Sequence, residues 1–424
     1  MEISSVFIFS IFLLIPVQEQ VLDNKPADGI LFGDYNTGTL NRVNISNSNN
    51  YSYIYIAYPN WIYAYDIDYD PVDGVTYWVD GYWQISSESI SGNGETIVRS
   101  FNKIAQTYGI AVDPLSRLLF YTDVGNDVIA AISLDNFMHK TVITNGLVNP
   151  RAIVTDPING TMYWVDLGTP AKIEKSSYDG TNRQEVVNTG LTAPYGLDVD
   201  INAGVLYWCD TDNFTIEGAN VDGSNRHLIY QEQVTITGCS IALYKSYLYF
   251  TKWWQRNAMM RIGTDGSGLI SVVPSADIYP LGIHVNINGR LGMNGCSNGG
   301  CSHFCFPLPG GNKQCACPDL MILQPDGQTC QNDDLPYDFL LVAYNGYRAV
   351  HLIDIQNNYS SVNIPFLNWV YAYDIDYDPT AGVLYSVNAN QQINSGSIFG
   401  NNEKTLRSLN GSEFCKICLT FLSL

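Results

Sequence analysis

The stretch RAIVTDPINGTMYWVDLGTPAKIEKSSYDGTNRQEVV, residues 151–187, is the unit from which the rest of the chain can be read. An apolar segment, RAIVTD, enters the turn DPING, and a second segment ending in YWVD leaves it. Two further segments meet at an Asp-Gly turn. Aromatic and β-branched residues between such turns read as four antiparallel strands. Asp-Gly and Asn-Gly supply the positive φ that two-residue hairpins demand.

The unit recurs. LFGD (31–34), YWVD (77–80), FYTD (120–123), YWVD (163–166), YWCD (207–210) and YFTK (249–252) follow one another at intervals of 42 to 46 residues. In phase with them run GNG at 92, DN at 135 and DGT, DGS and DGS at 179, 222 and 265. A third register holds YGIAVD (108–113), RAIVTD (151–156), YGLDVD (195–200) and LGIHVN (281–286). Six copies of a four-stranded unit predict an all-β, six-bladed propeller. One blade cannot bury both of its faces, so the blades must stack around a common axis. The repeat's Tyr, Trp and Phe would fill the seams, each burying on the order of 150–250 Å². The phase also predicts how the ring closes. ILFGD opens it as a second strand, and a lone first strand, YPLGIHVNI at 279–287, returns to pair with it and abolish the open edge.

At 424 residues the chain has room for two or three domains. The net charge of −20 makes nucleic acid and anionic membranes poor partners and favours a basic protein ligand. The plainer reading of the same charge is Asp that caps turns and keeps a secreted protein soluble. The N-terminus, MEISSVFIFSIFLLIPVQEQ, has an apolar core from Val6 to Val17, too short to span a bilayer and suited to a secretory signal over residues 1–20. It lacks the usual basic n-region. Six sequons, at Asn44, Asn50, Asn159, Asn213, Asn358 and Asn410, agree with secretion and glycosylation.

These residues resemble the YWTD propeller of the low-density lipoprotein receptor family, over residues 28–290. WD-repeat propellers have a similar period but place Trp-Asp after a Gly-His pairing that this chain lacks. Directly after the propeller, residues 294–332 carry six cysteines spaced C-x4-C-x3-C-x9-C-x-C-x12-C, from Cys296 to Cys330. So short a segment with almost no aliphatic core needs disulfides. Spacing alone leaves fifteen connectivities open. The spacing is similar to an EGF-like module, and that resemblance implies Cys296–Cys305, Cys301–Cys315 and Cys317–Cys330. Cys209 and Cys239, in consecutive blades, are candidates for a fourth pair.

NWIYAYDIDYDP at 60–71 returns almost unchanged as NWVYAYDIDYDP at 368–379. The offset is one propeller plus one EGF-like spacer, so residues 334–424 read as the start of a second propeller, about two repeats of it. Two blades cannot close a ring. The expectation is a fragment or splice form of a longer receptor, with Cys415 and Cys418 an accidental pair.

No G-x-S-x-G, H-E-x-x-H or phosphate loop is present, and the five His are scattered, so no enzyme, no metal and no cofactor is expected. Six-bladed lactonases would need Asp and Asn pointing into the central channel. The recurring Asp34, Asp80, Asp123, Asp166 and Asp210 instead suggest a structural role, which Lys252 interrupts. Loops after the YW-D strands and those entering each first strand should gather on one face, where aromatics and Arg are the usual anchors of protein interfaces. The candidates are Tyr82, Trp83, Arg151, Tyr195, Trp253 and Trp254, against the alternative that the Trp residues wedge between blades. A propeller directly after a signal resembles the Wnt co-receptors, whose first propeller's upper face binds Wnt ligands and secreted antagonists. Arg151 in NPRAIVTD matches their pattern; Pro194-Tyr195-Gly196 stands where they commonly have Pro-Asn-Gly. The resemblance implies a noncatalytic receptor region with secreted protein ligands and no small-molecule substrate, at the extracellular face of the plasma membrane in the intact receptor or secreted if the chain ends at 424. An endocytic lipoprotein-receptor relative, or a nidogen-like matrix protein with matrix partners, is the alternative.

Overall fold

The structure is a computed structural model. It describes residues 28–45, 52–56, 64–89, 96–99, 106–212, 214–256, 259–272, 278–286, 292–319 and 321–332, with the strands of the second copy between 339 and 408. The segment expected to be a signal, the GNG at 92, Asn50, Asn213, Asn358, Asn410, Cys415, Cys418 and the outer ends of both NW-YAYDIDYDP copies lie outside the described residues.

Six four-stranded antiparallel sheets follow one another through the first part of the chain. Blade 1 closes as its phase predicts: Pro280–Asn286 pairs with Gly29–Asp34, setting Ile30 opposite Val285 and Phe32 opposite Ile283. The innermost strand of each blade is its first: Asp66–Asp70, Thr107–Asp113, Pro150–Asp156, Pro194–Asp200, Cys239–Tyr244 and Pro280–Asn286. Each touches the next around the ring.

The paired aromatics of the repeat are explained by the two-residue period of a strand, which sends neighbours to opposite faces. In blade 4, Trp164 packs into the seam with blade 3 beside Phe120 and Ile153, while Tyr163 packs into the seam with blade 5 beside Leu197 and Leu206. Trp208 and Tyr207 divide in the same way, as do Trp78 and Tyr77, and Phe250 and Tyr249. The core is therefore six separate apolar seams, not one central cluster.

Close approach between inner strands demands glycine at the third residue of three of them, Gly109, Gly196 and Gly282. A Cβ on Gly109 would lie 2.4 Å from the Arg151 carbonyl oxygen, and one on Gly196 would lie 2.9 Å from the Ile241 nitrogen.

The aspartates of the repeat are structural. Those ending the second strands accept backbone N–H groups from the chain entering the blade: Asp34 from Tyr279 (2.8 Å), Asp123 from Gln106 (3.1 Å), Asp166 from Val148 (3.0 Å) and Asp210 from Thr192 (2.8 Å). Asp80 holds Tyr82 and Gln84 of the following loop. Those ending the first strands, such as Asp113, Asp156 and Asp200, cap the turns that follow. Lys252, in the sixth copy, pairs with Glu232 instead.

The cysteine-rich segment forms two small hairpins, Phe304–Leu308 with Asn312–Ala316 and Met321–Leu323 with Cys330–Asn332. Its disulfides are Cys296–Cys305, Cys301–Cys315 and Cys317–Cys330, and Cys209–Cys239 forms as well, tying blade 5 to blade 6. The module is docked on the propeller. Phe304 and Phe306 complete the seam between blades 3 and 4. The side-chain amide of Asn294 donates to Ser116 Oγ and to the Pro157 carbonyl, and Gly160 leaves no room for a Cβ beside the Pro307 carbonyl. The sequon residue Asn159 is exposed, with its amide bonded to Asp156, while Asn44 is half-buried at a strand end.

In the second copy, Phe339–Ala343, Ala349–Asp354 and Ser360–Pro365 form a three-stranded sheet. Ala372–Asp378 through Lys404–Ser408 form a four-stranded one.

Candidate functional site

The inner strands enclose a channel of about 500 Å³ along the propeller axis. Its mouth, on the face opposite the EGF-like module, is set by residues at the entry to the inner strands. Reading round from blade 2 these are Tyr65, Tyr108, Arg151, Tyr195, Cys239 and Leu281. Five of the six sequence candidates are drawn onto this mouth or its rim by ring contacts.

Trp83, on the loop after the second strand of blade 2, stacks on Tyr65 with centroids 5.2 Å apart and planes 9° apart. It also tilts against Tyr108 at 4.8 Å. The Arg151 guanidinium lies 3.6 Å from the Tyr108 ring centre and 5.3 Å from that of Tyr195. Trp253 reaches in from blade 6 to meet Tyr195 edge-on at 5.7 Å and Tyr65 at 5.8 Å. Because blades 2 and 5 face each other across the ring, Trp253 roofs part of the channel. Trp254 leaves in the other direction and packs edge-on against Tyr35 at 4.2 Å, 40% exposed. Tyr82 stands free at 75% exposure, the most exposed large hydrophobic among the described residues.

Trp253 is buried over the channel and belongs to none of the six seams, whereas Trp254 of blade 6 does bridge to the neighbouring blade 1 through Tyr35. Two of the loops carry backbone strain. Trp83 and Trp254 both have φ of +64°, a region bulky residues rarely enter. Stacking on Tyr65 and packing on Tyr35 hold them there.

Below the mouth, three carboxylates line the channel, but the chain has already taken them up. Asp66 accepts N–H from Ile67 (3.0 Å) and Ile110 (2.9 Å), Asp68 from Tyr69 and Val112 (2.6 Å each), and Asp198 from Val199 (2.7 Å) and Leu243 (2.6 Å). Each bond reaching the next blade staples neighbouring inner strands. His284 adds a contact from blade 1, its Nδ1 3.0 Å from Asp68 Oδ1. Burial pushes Asp66 up to about 8 and Asp198 to about 6 against the N–H bonds that favour the anion, and it raises Asp68 as well. Among the described residues no group of three or more His, Cys, Asp or Glu is placed to hold a metal ion.

The sequence missed Tyr35, Tyr65 and Tyr108, and the channel residues Asp66, Asp68, Asp198 and His284. The signal was available: YDIDYD at 65–70 aligns with YGIAVD and YGLDVD, so the first column of that alignment is the rim, and its fourth, with Asp66 from its second, faces the channel.

Comparison with known proteins places this geometry. The family described as "Low-density lipoprotein receptor repeat class B" matches residues 117–157, from the turn of blade 3 through the first strand of blade 4. Low-density lipoprotein receptor-related protein 5 of Homo sapiens is 33% identical over 276 residues, 62% of this chain and 17% of that protein. The chain is similar to low-density-lipoprotein-receptor-related proteins over its propeller and carries one matched class B repeat. The Mus musculus protein of the same name matches over the same shares at the same identity. The chain thus spans about a sixth of the length of these relatives. A chain in the crystal structure of a nidogen/laminin complex aligns at 27% identity with a TM-score of 0.54, over 61% of this chain and 98% of that one. TolB from Acinetobacter baumannii, 10% identical at a TM-score of 0.51 over 61% of this chain and 66% of its own, shares the fold alone.

Proposed function

We propose that the chain is a noncatalytic, extracellular ligand-binding region of a low-density-lipoprotein-receptor-related surface receptor of the Wnt co-receptor type. Its domain plan would be a signal peptide at 1–20, a propeller at 28–290, an EGF-like module at 294–332 and the start of a second propeller at 334–424. Secreted protein ligands, Wnt proteins or their antagonists, would bind the channel-mouth face. The observation that carries this reading is the run of stacked rings from Trp83 through Tyr65 and Tyr108 to Arg151, Tyr195 and Trp253, with Tyr82 exposed beside it. Rigid aromatics and Arg around a concave centre are what protein interfaces use as anchors. The similarity to receptor-related protein 5 supports the receptor branch. The chain would travel the secretory pathway and carry glycans at its sequons.

A second reading, a matrix or adhesion protein, is favoured by the likeness to a chain from a nidogen/laminin complex. One binding experiment tests both. The secreted chain and its Trp83→Ala and Tyr82→Ser variants are presented to purified Wnt proteins, Wnt antagonists and laminin on a biosensor. Binding to one class, weakened about 30-fold by Trp83→Ala as expected for a hot-spot anchor, assigns the partner. Binding that both variants leave unchanged would remove the mouth as the ligand site.

A further inference from the structure

At the mouth of the channel, hydrogen-bond donors converge that the protein itself does not satisfy. Arg151 Nε and Nη1 are buried without a partner among the described residues, and so is Trp253 Nε1. Both side chains flank Tyr195 and line the same cavity. Buried donors in folded proteins are almost always paired, so an unpaired group of them calls for an acceptor from outside.

The channel's own acids make no bond to these donors. Asp66, Asp68 and Asp198 each spend both oxygens on backbone N–H groups. The repeat residues Trp164 and Trp208 also have unpaired indole N–H groups, but they are sealed in the seams at 0% exposure, where no ligand reaches. An unpaired indole alone would therefore mean little. What distinguishes the mouth is a guanidinium and an indole together, beside an opening.

We propose that this pocket receives the carboxylate of a single Asp or Glu side chain, presented by an extended segment of the protein ligand. The inference rests on the reading of the mouth as the ligand face and names the group recognised there. A guanidinium is planar and its N–H groups bond strongly to a carboxylate, which can engage Nε or Nη1 on their separate edges of the plane, and Tyr108 and Tyr195 fix that plane from either side. Tyr82 and Val148, both more than half exposed, and Trp254 give the flanking ligand residues an apolar rim. The net charge of −20 opposes a broadly acidic partner, so the fitting ligand is a basic segment carrying one acid.

The test selects short random peptides, displayed on phage, against the full secreted chain, and measures the enriched peptides by calorimetry. The expected peptides share one Asp or Glu whose change to Asn or Gln weakens binding about tenfold or more, as does Arg151→Met. Arg151→Lys retains part of the affinity. Trp253→Phe, which removes the indole N–H along with one of its two fused rings and keeps a single ring over the channel, weakens binding by a smaller factor and provides the answer should Arg151→Met fail to secrete. Peptides that lose binding with Tyr82→Ser but need no acid, and tolerate Arg151→Met and Trp253→Phe, would overturn the carboxylate assignment while sparing the ligand face. Failure to enrich any peptide, or peptides indifferent to Tyr82, Arg151 and Trp253 alike, would overturn both.

Discussion

Replacing His139 by Gln should remove a specific part of the chain's acid sensitivity. His139 opens the outer strand of blade 3, where the EGF-like module docks. Its Nδ1 donates to Asp319 Oδ2 at 3.0 Å and its Nε2 lies 2.9 Å from the Tyr121 hydroxyl, which donates to it. Asp319 also accepts from the Thr141 N–H (3.1 Å) and hydroxyl (2.7 Å). This arrangement needs a neutral imidazole. Burial first, then the positive charge of Arg99, with a smaller push from Lys140, hold His139 at about 4 against 6.5, outweighing Asp319. Burial would raise Asp319, but the bonds from His139 and Thr141 overcome it and hold the carboxyl at about 2.

The sign follows. A histidine whose folded value is depressed costs nothing above pH 6.5, and stability falls as pH drops toward 4, because the unfolded chain takes up the proton first. At about 1.4 kcal/mol per pH unit the loss is about 2 kcal/mol by pH 5 and about 3 kcal/mol once both states have titrated. Asp319 stays ionised throughout that window, so its own loss comes only below about pH 4. Urea unfolding followed by Trp fluorescence, run on wild type and His139→Gln at pH 7.5 and pH 5, isolates the imidazole. The wild-type stability relative to the variant should fall by about 2 kcal/mol between the two pH values. A gap that stays constant to within about 0.5 kcal/mol would refute the reasoning, since it would mean that His139 titrates alike in both states.

Gly109→Ala should cost about 2–3 kcal/mol in thermal unfolding, because its Cβ would press on the Arg151 backbone at 2.4 Å, which no side-chain rotation relieves. Arg183→Met should cost about 3 kcal/mol: Arg183 holds Glu174 through two bonds of 3.1 and 2.6 Å and crosses to the Gly146 carbonyl, and its loss leaves a buried carboxylate with only Lys172 nearby. The double variant with Glu174→Met should recover most of that loss, and a double-mutant cycle in urea checks it. Replacing Cys209 and Cys239 together by Ala should lower stability by about 2–4 kcal/mol, since the bond closes a loop with a separation of 30 residues. Unchanged unfolding of that variant would show the bridge to be energetically idle.

The fold was legible because its information is local and repeated. The spacing of YWVD, the DPING and Asp-Gly turns and the stray strand at 279–287 define blade number, strand order and closure without any long-range contact being known. The role of Asp166 and its equivalents was also readable, because a side chain that recurs in nearly every blade serves the blade. The site was only half legible. Tyr82, Trp83, Arg151, Tyr195, Trp253 and Trp254 stood out as departures from the repeat, but Tyr65 and Tyr108 sit within it and became rim residues only when the inner strands closed into a ring.

The sequence by itself determined a six-bladed ring, its velcro strand and a cysteine-rich module after it, because hydrophobic period and turn chemistry act over a few residues. Only the tertiary structure decided that Cys209 meets Cys239, that the EGF-like module rests on blades 3 and 4 through Asn294, Phe304 and Asp319, and that Arg151 and Trp253 converge on Tyr195. Each of these joins residues from different blades or modules. Distances across the ring are fixed by how six sheets stack, and no periodicity along the chain encodes them.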